Sequence, residues 1–334
     1  MNTTANQLLL IVLAGAFTGT ALMPMKFTRG WRFENTWLLY SLCAYVIFPV
    51  IVATVTVPHL LMVYAHVGVW TCLSTALLGV GWGVAIVLNG IAVTLVGLSL
   101  ASALLMGSSI ALGSLVALVG RFAQVSHDQL VAIVVLDLVM LIGVGLCAVA
   151  GNLRDARLHY ASQGRRATGW GIVLCLVAGA LSTFFNAALA HGEPIAEEAV
   201  RLGAFPSTAS NAIWAIAVSA GALPSLVWCI AVLWRNSLCR HFRTRTVQNM
   251  GLCLVMAVLW ISGAVVYGRA ASSLGEIGAA IGWPVYMSGV ILIGSFWGLL
   301  TQEWRGASRR SATWMLAGIA VQIAAIVTLG CIHG

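Results

Sequence analysis

The sequence predicts an all-α polytopic membrane protein with ten transmembrane helices arranged as two inverted five-helix repeats. Three observations carry that prediction. Sixty per cent of the 334 residues are hydrophobic and 8% are charged, where a soluble domain carries about a quarter charged residues. Apolar runs of about 20 residues, the length that crosses a bilayer, recur from end to end. Short stretches of the first half reappear in the second, and an odd number of helices per half turns the second copy upside down.

The length rule predicts helices at Gln7–Met25, Thr36–Val57, Thr71–Val96, Leu100–Gly120, Leu130–Ala150, Trp170–Leu189, Asn211–Trp234, Asn249–Gly268, Ile277–Leu300 and Ala312–Leu329. The halves are read as residues 1–151 and 169–334, joined by a cytoplasmic connector at 152–168. Tryptophans near many of these ends (Trp37, Trp70, Trp170, Trp234, Trp304, Trp314) fit anchoring at the membrane–water interface. The connection His191–Ser210 contains EPIAEEAVRLGAF, where a proline and early acids predict a short surface helix.

Charge sets the expected direction. Of the 17 Lys and Arg, 14 fall in the loops after helices 1, 3, 5, 7 and 9. The positive-inside rule places those loops in the cytoplasm and both termini outside, in the periplasm. The stretch PMKFTRGWRFENTW (24–37) is then the first cytoplasmic loop. Its charges follow the first apolar run, the reverse of a signal peptide, so helix 1 is expected to remain in the mature protein. The formal net charge of +8 lies between apolar runs and forms no stripe with interleaved aromatics, which excludes nucleic-acid binding. The eight cysteines include no C-x-x-C pair and predict neither a metal site nor a disulfide framework. With no H-E-x-x-H, no Ser/His arrangement and no soluble domain, an enzyme is not expected.

Helices 1 and 6 share a pattern, Ala14-Gly15-Ala16-Phe17-Thr18 against Ala178-Gly179-Ala180-Leu181-Ser182. Helices 3 and 8 align without gaps over 81–97 and 259–275, matching Trp82 to Trp260, Val87 to Val265, Gly90 to Gly268, Ala92 to Ala270 and Gly97 to Gly275. Inverted repeats mark secondary transporters, whose substrate sits at the repeat interface near the midplane. Trp82 and Asn89 are seven residues apart and share a helical face, and Trp260 and Tyr267 repeat that spacing. These four are candidate cavity residues, with an aromatic floor and a polar group towards each mouth.

Helix 9 adds IGWPVYMSG (281–289), where Pro284 removes a backbone donor and Trp283 and Tyr286 lie one turn apart. A sugar suits such a pair, because its C–H face packs on a ring while its hydroxyls need fixed polar partners. Carboxylates are the candidates for proton coupling, since an acid inside the membrane is costly and changes charge when it loads. Asp137 lies deep in an apolar run, and Glu276 and Arg269 lie at the outer ends of helices 9 and 8, near enough to pair. Glu276, seven residues from Trp283, is ranked above Asp137. Thr18, Ser108, Asn186, Asn211 and Gln322 are weaker candidates that suit ordinary interhelical hydrogen bonds.

Pro24-Met25-Lys26 with Trp31, Glu34 and Trp37, Trp82-Gly83 with Gly90 and Gly97, Trp283 with Met287-Ser288, and Trp297-Gly298 ending in Glu303-Trp304 span both halves. In these residues the chain resembles the L-rhamnose–proton symporter family, within the drug/metabolite transporter superfamily. The resemblance implies ten helices in two inverted repeats and proton-driven symport of L-rhamnose or a related 6-deoxyhexose across the cell (inner) membrane. It implies helices 5 and 10 outside the substrate bundle and no cofactor beyond the proton gradient. The expected partners are the sugar, the proton and the lipid bilayer, with a homodimer left open. An exporter or exchanger of another small metabolite on the same fold is the alternative.

Overall fold

The structure is a computed structural model and describes residues 3–96, 98–117, 126–157, 165–275, 278–301, 304–305 and 307–332. Fourteen α-helices follow one another, with no strand among the described residues. They are α1 (Thr3–Ala21), α2 (Phe33–Ser41), α3 (Phe48–Thr56), α4 (Leu60–Val67), α5 (Val69–Val96), α6 (Leu98–Ala117) and α7 (His127–Arg157). The second half holds α8 (Arg165–Ser182), α9 (Phe184–His191), α10 (Glu193–Arg201), α11 (Asn211–Arg235), α12 (Thr246–Ser273), α13 (Gly278–Leu300) and α14 (Arg309–Ile332).

Nine helical segments among the described residues are long and apolar enough to cross a membrane. The sequence predicts ten. The remaining one, expected at Leu100–Gly120, falls on α6, where an apolar segment Leu104–Val116 is found among the described residues. Residues 118–120 of that expected span lie outside the described residues. The predicted surface helix is present as α10, with Pro194 in its first turn.

Two spans are locally irregular, each for a readable reason. Helices α2 and α3 are joined by a π-helical turn at Leu42–Ile47. Pro49 has no N–H to offer the carbonyl of Tyr45, four residues back, and its ring would press on it. The wider turn relieves that clash, and the Phe48 N–H reaches the Cys43 carbonyl instead. Between α8 and α9 the break falls at Thr183, whose hydroxyl bonds the Ala180 carbonyl at 2.7 Å and competes with the helix ladder.

Small residues set the packing, as lipid tails are no less apolar than the helices and association relies on close contact. Helix α1 packs against α12 and α13, α8 against α5 and α6, α5 against α11, and α7 against α14. At the α1–α13 contact Gly15 faces the Tyr286 carbonyl and Gly289. At the α5–α11 contact Gly79 and Gly83 face the carbonyls of Ala217 and Gly221, where a Cβ would collide with backbone. Trp70, Trp170 and Trp234 are exposed, as interfacial anchors should be.

The loops rich in Lys and Arg gather at one end. Asn249 bonds both the N–H and the carbonyl of Arg29, and the Asn35 amide donates to the Leu238 carbonyl. Lys26 donates to Thr301 at 3.0 Å, and the Arg154 guanidinium lies 5.1 Å from the Trp304 ring centre. Loops following the first, fifth, seventh and ninth predicted helices therefore share one face. Helices α4 and α10 pack against each other, with Glu198 accepting from Arg201 and lying 2.7 Å from His66 Nδ1.

Candidate functional site

The irregular positions all aim side chains at the centre. Tyr45, from the π turn, meets Trp260 with ring centres 4.7 Å apart and Trp82 at 5.2 Å, edge to face in both cases. Trp82 and Trp260 stack on each other at 5.6 Å, with planes 28° apart. Phe185, two residues past the Thr183 break, reaches Trp82 at 5.3 Å and stacks on Trp214 of α11 at 4.5 Å. Next to the proline of α13, Trp283 and Tyr286 join the column, with Tyr267 lying 4.7 Å from Tyr286 and 6.1 Å from Trp283. Six elements thus deliver one continuous set of rings, nearly all of it buried.

Several polar tips of that column have fixed partners. The Tyr267 hydroxyl donates to Asn186 Oδ1, and the Asn186 amide donates in turn to the Gly113 and Ala279 carbonyls. One fully buried side chain on α9 therefore ties together α6, α12 and α13. The Trp283 indole N–H donates to the Ser109 carbonyl at 3.0 Å, and its ring lies against Gly113, where no Cβ fits. Thr18 and Tyr286 share a 2.8 Å hydroxyl–hydroxyl bond between α1 and α13.

Of the predicted cavity residues, Trp82, Trp260, Tyr267, Trp283 and Tyr286 come together. Asn89 lies further along α5, half-buried, its Oδ1 shielded and without a hydrogen-bond partner. Sequence reasoning missed Tyr45, Phe185 and Trp214, and ranked Asn186 as a minor packing residue. Pro49 was the available signal for Tyr45, as a proline inside an apolar span marks freed backbone just as Pro284 does.

Among the described residues Asp137 is the one buried carboxylate, 6% exposed. It accepts a 3.0 Å hydrogen bond from Ser114 of α6, one residue from the Gly113 that supports Trp283. Three residues along α7, Met140 Sδ meets the Ser288 hydroxyl of α13 at 3.3 Å. Helix α7 packs chiefly against α14 and α6 and also touches α13. Arg269 is exposed on α12, and Glu276, expected to pair with it, lies outside the described residues.

A cavity of about 210 Å³ opens beside α10, at the end of the bundle away from the basic loops. Its walls include Glu193 and Glu197 of α10, Ile213 of α11, Ala271 of α12 and Ala279 of α13, with Ser210 at the head of α11. The Ser210 hydroxyl and the Trp214 indole N–H are buried without partners, and both lie against Gly268.

Comparison with known proteins gives the family. The family model described as L-rhamnose-proton symport protein matches residues 1–333. The L-rhamnose-proton symporters of Salmonella paratyphi A and Salmonella newport are each 24% identical to the chain over 318 residues, covering 92% of both sequences. Its many apolar helices fit a multi-pass membrane transport protein. With the match running over nearly every residue, the chain belongs to the L-rhamnose-proton symport protein family.

Proposed function

We propose that the protein is a proton-coupled importer of a small neutral sugar, L-rhamnose or a related 6-deoxyhexose. It works by alternating access between two inverted five-helix repeats, on the ten-helix plan of the drug/metabolite transporter superfamily, in the inner membrane with both termini periplasmic. The observation that carries this reading is the central column of rings, in which Trp82 and Trp260, matched by the repeat, stack at 5.6 Å. Reciprocal packing supports the repeat: α1 lies on α12 and α13 as α8 lies on α5 and α6. The convergence of the basic loops on one face supports the orientation.

In this conformation the rings occupy one another's faces. A sugar reaches the column when the two tryptophans part and its C–H face replaces one ring against the other. Its hydroxyls then take partners from the Asn186, Tyr267 and Tyr286 groups that now bond each other. Asp137 is the described group suited to carry the proton. It is buried, it is held by Ser114, and its helix touches the one that bears Trp283.

Proteoliposomes containing the purified protein test this directly. An inward proton gradient should concentrate radiolabelled L-rhamnose, and a protonophore should abolish the accumulation. Accumulation that ignores the protonophore, or flux in the outward direction only, would overturn the reading.

A further inference from the structure

We propose that two interlocked loops at the basic end form a docking surface for anionic phospholipid headgroups. Such a surface is separate from the aromatic column, and its chemistry is the same whichever way the chain lies in the membrane. Loop 28–32 joins the spans Thr4–Phe27 and Phe33–Thr56, and loop 236–245 joins Asn211–Arg235 and Thr246–Ser273. Both loops therefore lie at the level of the headgroups, just outside the hydrocarbon.

Close packing makes one surface of the two loops. The Trp31 and Phe242 rings meet edge to face, with centres 5.1 Å apart. Gly30, with a φ of +76°, lets the first loop lie against Thr244, where a Cβ would collide. Asn249 holds the backbone of Arg29 and also donates to the Thr244 carbonyl at 3.2 Å. Ser237 and Arg245 take left-handed φ angles of 52° and 47° on either side of the turn Leu238–Arg243. Non-glycine residues keep that conformation only where their surroundings hold them, so the second loop is shaped by the first.

Six exposed arginines stand on this surface, Arg29 and Arg32 from the first loop and its edge, and Arg235, Arg240, Arg243 and Arg245 from the second. Among the described residues none of the six has a carboxylate partner. By contrast Arg201, at the α10 end, is held by Glu198. Like charges gathered in this way repel one another, and a bound anion offsets the repulsion. Helix α12 begins beside them at Thr246 with no side-chain cap, and the N–H groups of a first helical turn favour an anion.

The neighbouring side chains select the kind of anion. A guanidinium fork matches two phosphate oxygens, which a free phosphate also offers. Next to the arginines in the chain, Trp234 is 84% exposed and Val247 87%, and the exposed Phe33 stacks on Trp37 at 5.2 Å. A phosphate that carries acyl chains meets both the charges and the uncovered apolar groups, whereas a soluble acidic protein meets the charges alone.

Titration calorimetry of the protein in a neutral detergent tests the surface. The probe is dioctanoyl phosphatidylglycerol, and dioctanoyl phosphatidylcholine is the uncharged reference. The anionic lipid should bind about tenfold or more tightly, by a margin that shrinks as salt is added. Arg240→Gln, Arg243→Gln and Arg245→Gln together should weaken it about a hundredfold, at about fivefold per charge. All three side chains are exposed, so the melting temperature in detergent should fall by no more than about 2 °C. Should the triple variant fail to fold, Arg243→Gln alone should show the loss of about fivefold. Arg201→Gln removes the same charge at the α10 end and should leave the affinity unchanged. Equal losses in Arg201→Gln and Arg243→Gln would mean that net charge alone acts, and would overturn the proposal. Equal affinity for the two lipids, or an unchanged affinity in the arginine variants, would overturn it as well. Inorganic phosphate that binds as tightly as the lipid would assign a free anion, and a polyglutamate peptide that binds more tightly would assign an acidic protein. Either result removes the lipid from this surface.

Discussion

Trp82 of α5 and Trp260 of α12 stack with ring centres 5.6 Å apart. Two elements separated by more than 170 residues thus place two tryptophans face to face in the buried core. Offset aromatic pairs contribute about 0.5–1.5 kcal/mol beyond burial.

Trp82→Ala and Trp260→Ala should each weaken L-rhamnose binding, and the double variant should lose less than the sum. The expected coupling is about 0.5–1.5 kcal/mol in a double-mutant cycle. Titration calorimetry in detergent measures it. Losses that add to within about 0.3 kcal/mol would show that the rings do not act as a unit.

Asn186 should matter for stability far more than Asn89. Asn186→Leu removes three interhelical hydrogen bonds. At about 0.6 kcal/mol each in a membrane, the cost is about 2 kcal/mol. Asn89→Leu breaks no bond from its Oδ1, which has no partner, and should cost under about 0.5 kcal/mol. Unfolding equilibria in bicelles compare the two, and equal losses would reject the hub role of Asn186.

Asp137→Asn keeps an acceptor for Ser114 and removes the titratable proton. Counterflow exchange of L-rhamnose should persist, because exchange needs only the loaded carrier to reorient, while accumulation driven by a proton gradient should fail. Glu276→Gln belongs in the same assay. Accumulation intact in Asp137→Asn and lost in Glu276→Gln would return the coupling role to Glu276.

Orientation is checked with single cysteines in a Cys-free background and an impermeant maleimide on intact cells. Position 197, beside the α10 cavity, should label, and position 29, held by Asn249 among the basic loops, should not. The opposite pattern would turn the protein over and make the cavity beside α10 cytoplasmic.

The sequence by itself determined the membrane as solvent and an all-helical fold. Charge-free runs, set against the cost of a charge in hydrocarbon, located nine spans found among the described residues, although α7 runs on to Arg157, beyond the expected Ala150. The clustering of Lys and Arg marked loops that the structure brings to one end. Pro284 and the Trp82–Trp260 match pointed to the residues now found in contact. Only the tertiary structure decided which other side chains share that centre. In a bilayer, a helix face turned to lipid and a face turned to the bundle are equally apolar, so hydropathy does not separate them. Phe185 and the exposed Phe296 look alike in the chain, yet the first is core and the second lies on the surface. Asn186 looks like any polar residue in a span until its three partners arrive from residues 73, 81 and 93 positions away. The π turn at Tyr45 and the break at Thr183 aim their side chains inward through a rotation of a fraction of a turn, and packing alone selects that rotation.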